Sequence, residues 1–285
     1  DTDTDADADT DTDADADYDF LSVAVGGQHS CGLTRDGEAV CWGLDLDGQA
    51  TPPAATTFLV LAAGKSHTCG ITDTDQVLCW GNDRFGQLMA PPRPVSNLWV
   101  GGDHACAMLS SNSLECWGRN DDGQATPPKG ARFTKLALGT LHSCGLDIKG
   151  QATCWGSDRD GNVSAVPSEV LTAITAGDDH TCGLNGKGAV VCWGNNDAGQ
   201  GTPSGPLYTR LDAGKQFTCG AVGDGRLDCW GINAAGQTMP PTGIDWARVD
   251  TSGTGAHACG TFIDPKTGGG IACWGDNGDG QTDVP

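Results

Sequence analysis

Two residue types in this chain carry reactive side chains at a fixed spacing, cysteine and histidine. The fourteen cysteines fall into seven pairs: Cys31 with Cys41, Cys69 with Cys79, Cys106 with Cys116, Cys144 with Cys154, Cys182 with Cys192, Cys219 with Cys229, and Cys259 with Cys273. A thiol pair at constant spacing can serve as part of a metal ligand set or as a disulfide. The six histidines bear on that choice. His29, His67, His104, His142, His180 and His257 each stand two residues before the first cysteine of a pair. His29, Cys31 and Cys41 could therefore share one strand face as zinc-type ligands. In the remaining copy Phe217 replaces the histidine, yet Cys219 and Cys229 persist. The cysteines do not need the imidazole, and an even, regular set reads as a disulfide framework from an oxidising compartment. No metal is expected at these positions.

A second constellation follows each Cys-Trp-Gly. An Asx recurs three residues after the tryptophan, as Asp45, Asp83, Asn120, Asp158, Asn196, Asn233 and Asn277. A Gly-Gln follows, replaced once by Gly161-Asn162. A ring of carboxylates could hold Ca²⁺. Free exchange of Asp and Asn favours a structural Asx-turn closed by a left-handed glycine and a capping Gln. Asp276-Asn277-Gly278-Asp279-Gly280 comes nearest to a calcium loop but lacks a distal glutamate. No Gly-x-Ser-x-Gly elbow, phosphate-binding loop or His-Glu-x-x-His is present, and no catalytic residue is expected.

These residues need a repeated scaffold. Cys-Trp-Gly occurs seven times, and the first cysteines of successive pairs step by 38, 37, 38, 38, 37 and 40 residues. Seven units fill residues 20–285. Each unit reads as four short strands. The first opens on a bulky residue: Phe20, Phe58, Val95, Phe133, Leu171, Tyr208 or Trp246. A three-residue loop at 35–37, with Gly37 in the left-handed position, pairs Thr34 with Glu38 and hence Cys31 with Cys41. The same register sets Trp42 opposite Ser30; the equivalents of Ser30 are Thr68, Ala105, Ser143, Thr181, Thr218 and Ala258, all small. That leaves room for the indole to lie flat and pack on the next unit. A weak fourth strand is expected after Gly48-Gln49. A unit of this size cannot bury its faces alone, so the reading is an all-β, seven-bladed β-propeller with one disulfide inside each blade. Closing an 11-residue loop contributes about 2.8 kcal/mol in the chain-entropy account.

Charge narrows the function classes. The net charge is −21, and residues 1–19 hold ten Asp alternating with Thr, Ala and Tyr18. No basic patch large enough for a phosphate backbone is evident, so nucleic acid is an unsuitable partner. No apolar run is long enough for a membrane helix. With no leader and no initiator Met, the chain reads as part of a longer precursor. Residues 1–19 read as an acidic linker or stalk, with a Ca²⁺-ordered segment as the alternative, and residues 20–285 as the propeller.

The pattern Gly64-Lys65-Ser66-His67-Thr68-Cys69-Gly70-Ile71, with Trp80-Gly81-Asn82-Asp83-Arg84-Phe85-Gly86-Gln87, resembles the regulator of chromosome condensation repeat. The resemblance covers all seven units. It implies a seven-bladed propeller. The paired cysteines look like the family's extracellular branch, the crinkly-type receptor ectodomains and secreted bacterial members that include a β-lactamase inhibitor. Nucleotide exchange, the activity of the nuclear member, fits poorly with cysteine pairs and with the lack of a long inserted hairpin.

The expected function is therefore a secreted or cell-surface protein-binding propeller without catalysis or cofactor. The alternatives are a structural subunit that assembles through its faces or its tail, and a secreted enzyme inhibitor. The candidate recognition residues lie in the variable loop after each Trp-Gly: Leu44, Leu46, Arg84, Phe85, Arg119, Arg159 and Ile232. Lys65, Asp103, Leu141, Asp178, Asp179 and Lys215 should share their face. Trp99 stands where other units carry Ala24, Ala62, Ala137, Thr175, Asp212 and Asp250. If this position lines the central channel, Trp99 fills it beside two acids, as packing or as a small-ligand site.

Overall fold

A computed structural model describes residues 19–205, 207–263 and 269–285. The Asp-rich segment, apart from Asp19, lies outside these residues. Among the described residues twenty-one strands form seven three-stranded antiparallel sheets, each built from consecutive strands. Blade 1 holds β1 (Phe20–Val25), β2 (His29–Thr34) and β3 (Ala39–Gly43), and blade 2 holds β4 (Phe58–Ala63), β5 (His67–Thr72) and β6 (Val77–Gly81). Blade 3 holds β7 (Val95–Val100), β8 (His104–Leu109) and β9 (Leu114–Gly118), and blade 4 holds β10 (Lys135–Leu138), β11 (His142–Leu146) and β12 (Ala152–Gly156). Blade 5 holds β13 (Leu171–Ala176), β14 (His180–Asn185) and β15 (Val190–Gly194). Blade 6 holds β16 (Arg210–Gly214), β17 (Phe217–Ala221) and β18 (Leu227–Gly231), and blade 7 holds β19 (Trp246–Thr251), β20 (His257–Phe262) and β21 (Gly270–Gly275). Among the described residues no helix is long and apolar enough to cross a membrane.

The hairpin register is the one the spacing predicts. Cys31 faces Cys41, Ser30 faces Trp42, and the turn closes through Thr34 N–H to Glu38 O and Gly37 N–H to Thr34 O. All seven cysteine pairs are disulfides with Cα atoms 4.0–4.1 Å apart. Cys31 is bonded to Cys41, Cys69 to Cys79, Cys106 to Cys116 and Cys144 to Cys154. Cys182 is bonded to Cys192, Cys219 to Cys229 and, across the longest hairpin, Cys259 to Cys273. The first cysteine of each pair is fully buried in its middle strand. On the outer strand, Cys154 is buried, while Cys116, Cys192 and Cys273 are half-buried. These bonds end the zinc-ligand reading, because no thiolate is left to bind.

Three expectations need correction. Among the described residues the fourth strand does not form. The segment after Gly48-Gln49 turns back and offers the Gln49 carbonyl to Trp80 Nε1 of blade 2, at 3.0 Å, in place of a ladder. The indole packs on the preceding blade, not the following one: Trp80 lies with Leu33 and Ala39 of blade 1. Cys79 and Trp80 are adjacent in one strand and so point to opposite faces. The disulfide faces forward round the ring and the tryptophan backward. Finally, β10 and β16 start two residues after Phe133 and Tyr208, where other blades carry a β-bulge. There Thr134 and Thr209 instead donate to Leu146 O and Ala221 O.

The bulky opening residue explains the glycine of each middle strand. A Cβ on Gly32, Gly70, Gly145 or Gly220 would run into the ring of Phe20, Phe58, Phe133 or Tyr208. Blade 3 supplies the control: its opening residue is the smaller Val95, and its middle strand carries Ala107.

Ring closure uses the same parts as every other junction. Trp42 Nε1 donates to Gln281 O at 2.9 Å, and Ser30 Oγ donates to the same carbonyl at 3.0 Å. The last blade's exit segment thus covers the first blade, and Val284 packs with Val23, Val25 and Trp42.

Candidate functional site

The face that could recognise a partner lies where the inner-to-middle turns meet the loops leaving the outer strands. A backbone clasp joins these two loops in each blade. Leu44 N–H donates to Gln28 O, and the equivalents run through Asn82–Ser66, Arg119–Asp103, Ser157–Leu141, Asn195–Asp179, Ile232–Gln216 and Asp276–Ala256. Gly43, at φ +95°, makes the approach possible; a Cβ there would lie 2.7 Å from Gln28 O.

The fixed positions of the outer loop are spent on its own geometry. Asp45 Oδ1 accepts from Ala50 N–H, Asp83 from Leu88, Asn120 from Ala125 and Asn233 from Thr238. The oxygen used is common to Asp and Asn, which accounts for their exchange. Gln49, Gln87, Gln124, Gln200, Gln237 and Gln281 each turn a side-chain Oε1 back to the N–H two residues earlier. Asn162 is one methylene short, and its buried Oδ1 has no partner.

Below this loop runs a buried girdle of histidines. His29 Nε2 lies 2.8 Å from Thr68 Oγ1 of the next blade, and Thr68 donates its only proton to Gln49 O. The imidazole must then donate through Nε2. The same relay recurs at His104–Ser143, His180–Thr218 and His257–Ser30, each hydroxyl passing its proton to a Gln carbonyl. Burial pushes His29, His104 and His180 down to about 3 and His67, His142 and His257 down to about 4. These rings are neutral, and all but His67 are hydrogen-bonded to a hydroxyl of the neighbouring blade. Where Phe217 replaces histidine, the facing residue is Ala258, so neither half of the bond is present.

Above the girdle the variable positions are free to differ. Arg84 and Arg119, from adjacent blades, place their guanidinium carbons 5.4 and 5.0 Å from the centre of the Phe85 ring. Arg119 also meets Asp121 at 2.9 Å and Asp103 at 3.7 Å. Three of the sequence candidates thus form one cluster. The others occupy separate sectors of the same face: Leu44 and Leu46 on blade 1, Arg159 on blade 4 and Ile232 on blade 6. Leu46 is 85% exposed, whereas Ile232 is half-buried against the blade 6–7 core. Near Arg159, burial and the neighbouring Asp178 and Asp160 push Asp179 up to about 6. Sequence reasoning missed Met89, which is 73% exposed beyond Phe85. A methionine two residues past the Gly-Gln was its available signal.

Trp99, Asp212 and Asp250 do line the central channel, a cavity of about 250 Å³. The two acids are already occupied. Asp212 accepts from Thr251 N–H of blade 7 and from Thr175 Oγ1 of blade 5, and Asp250 accepts from Val25 N–H of blade 1. Each carboxylate captures an inner-strand N–H that no sheet ladder uses. Burial pushes Asp212 up to about 6, and burial with the nearby Asp212 raises Asp250 well above the usual range. Trp99 packs on Phe133 and Leu136 of blade 4.

A profile of the Regulator of chromosome condensation (RCC1) repeat matches residues 20–49, 61–87, 100–124, 171–200 and 208–237. No curated protein sequence matches. Among solved structures, the entire ectodomain of the Physcomitrella patens receptor kinase CR4 shares 30% identity over 89% of this chain and 73% of its own length, with a TM-score of 0.76. The crinkly ectodomain of the Arabidopsis thaliana receptor kinase ACR4 shares 25% identity over 90% of this chain and 97% of its own, with a TM-score of 0.73. Yeast RCC1 (Prp20), solved with Kap60 bound, shares 16% identity over 87% and 82%, with a TM-score of 0.71, a likeness of fold.

Proposed function

Since this chain belongs to the regulator of chromosome condensation repeat family and is similar to receptor ectodomains, we propose that it is an extracellular protein-binding propeller that performs no catalysis. The seven disulfides suit an oxidising compartment. The polar groups that could look catalytic, five of the six histidines and the two channel acids, are committed to joining blades. The function needs no cofactor.

The Arg84–Phe85–Arg119 cluster carries the choice of face. Two cations from neighbouring blades flank a half-buried ring, and Asp103 and Asp121 hold one of them, Arg119, in place. Pre-ordered aromatic and arginine side chains at a surface are what hot spots are made of. The test is affinity capture of a partner from the source's own surroundings, followed by titration. Replacing Arg84 and Phe85 together by Ala should weaken that partner at least about 30-fold, roughly 2 kcal/mol. Ile148→Asp, on the opposite face, should leave it unchanged. Loss of binding only in the Ile148 variant would move the site to that opposite face.

A further inference from the structure

The opposite face, where inner strands begin and hairpins turn, differs in charge. Lys129, Arg132, Lys135, Lys149 and Lys187 are all exposed there on blades 4 and 5. The ion pairs among the described residues use Arg35, Arg93, Arg119 and Arg226, and none of these five. Lys135 Nζ donates to a neutral carbonyl, Thr172 O, at 2.7 Å, which leaves its charge uncompensated. Two acids of the same blades are hydrogen-bonded elsewhere: Asp147 Oδ1 accepts two N–H groups of its own turn, and Glu169 accepts from Asn185. Arg132 also lines a groove of about 520 Å³ between blades 3 and 4, with Phe133, Met108, Trp99 and the 85%-exposed Ile148. A basic patch without ion pairs beside an apolar groove is unexpected on a protein of net charge −21.

The chain contains a matching ligand. Residues 1–18 carry nine Asp and no cation, and end in Tyr18. They join the propeller on this same face, where Asp19 meets Arg35 at 2.6 Å and its carbonyl accepts Arg35 N–H. Eighteen residues reach up to about 60 Å, and tethering holds them at an effective concentration in the millimolar range. The other face repels such a segment: its loops carry Asp45, Asp47, Asp83, Asp122, Asp160 and Asp178. We propose that residues 1–18 dock on the basic patch of blades 4 and 5 of their own chain, beside the apolar groove between blades 3 and 4 that Arg132 also lines. This does not depend on which partner the Phe85 face takes.

Zero-length carbodiimide coupling of carboxylates to lysines, mapped by mass spectrometry on the full chain, tests it. In about 20 mM salt, monomers should carry tail links to Lys149, Lys135, Lys129 and Lys187 several-fold above those to Lys65 and Lys215. About 0.5 M salt should remove most of them. Arg132→Glu should lower the Lys149 link several-fold with the melting temperature unchanged, since Arg132 is exposed. An even spread over all lysines, or no tail links in monomers, overturns the proposal. Links found only in dimers would place the tail on a second copy and overturn it equally.

Discussion

His67 is the one imidazole of the girdle whose facing residue lacks a hydroxyl, because Ala105 stands where its counterparts have Ser or Thr; both of its ring nitrogens are without a partner. Ala105→Ser should complete the relay to Gln87 O and stabilise the protein by about 1 kcal/mol, seen as a rise of about 2 °C in melting temperature. No rise would mean that the relay contributes nothing net. The girdle also sets the acid response. Six imidazoles lie at about 3 or 4 when folded and near 6.5 when unfolded. Their stabilisation is complete above pH 6.5 and is lost as pH falls toward those folded values. Asp212 and Asp250 act oppositely. Their raised values favour the fold at low pH, and that contribution disappears as pH rises through about 6 for Asp212. Asp179, also pushed up to about 6, adds to that opposing contribution. Six groups outweigh three, so thermal melts should show a clear drop between pH 7 and pH 4; a rise would put protons on the buried rings at no cost.

At the level of strands, the paired choice of opening residue and middle-strand glycine is testable as a cycle. Gly145→Ala should cost about 1–3 kcal/mol, because the Phe133 ring lies 2.4 Å from where the Cβ would sit. Adding Phe133→Val, the combination blade 3 already uses, should recover about 1 kcal/mol relative to additivity in denaturant melts. Additive losses would show that the two positions do not share the space. The strands, turns and disulfides were legible in the sequence because each rests on contacts within one unit, repeated at constant spacing. Even Cys259 and Cys273, with their longer hairpin, keep the pairing of the other six. The parts misread or left open rest on contacts between units. The Gln49 carbonyl looks like a strand residue until Trp80 of the next blade is in place. Asp212 and Asp250 look like a ligand site until the neighbouring N–H groups are counted. Arg84, Phe85 and Arg119 come from two blades, and only radial stacking brings them together.

Over the whole molecule, asymmetry is laid on a symmetric frame. The acceptor side chains of the channel link blades 5, 6, 7 and 1, while blades 2 and 4 offer alanine at the same position. Among the described residues, five exposed cations without ion pairs, Lys129, Arg132, Lys135, Lys149 and Lys187, cluster on the hairpin face of blades 4 and 5. The frame itself has no special seam: the contacts that seat blade 1 on blade 7 are those that seat blade 2 on blade 1.

Because every sheet is contiguous in sequence and both Asp19 and Val284 rest on blade 1, the order in which the blades are read should be immaterial. A circular permutant opened between Ala54 and Ala55, with Pro285 joined to Asp19 by a short flexible linker, keeps every disulfide and every indole–carbonyl bond. It should oxidise and melt within a few degrees of the parent. A permutant that cannot form its seven disulfides would reveal that the first blade must be made first.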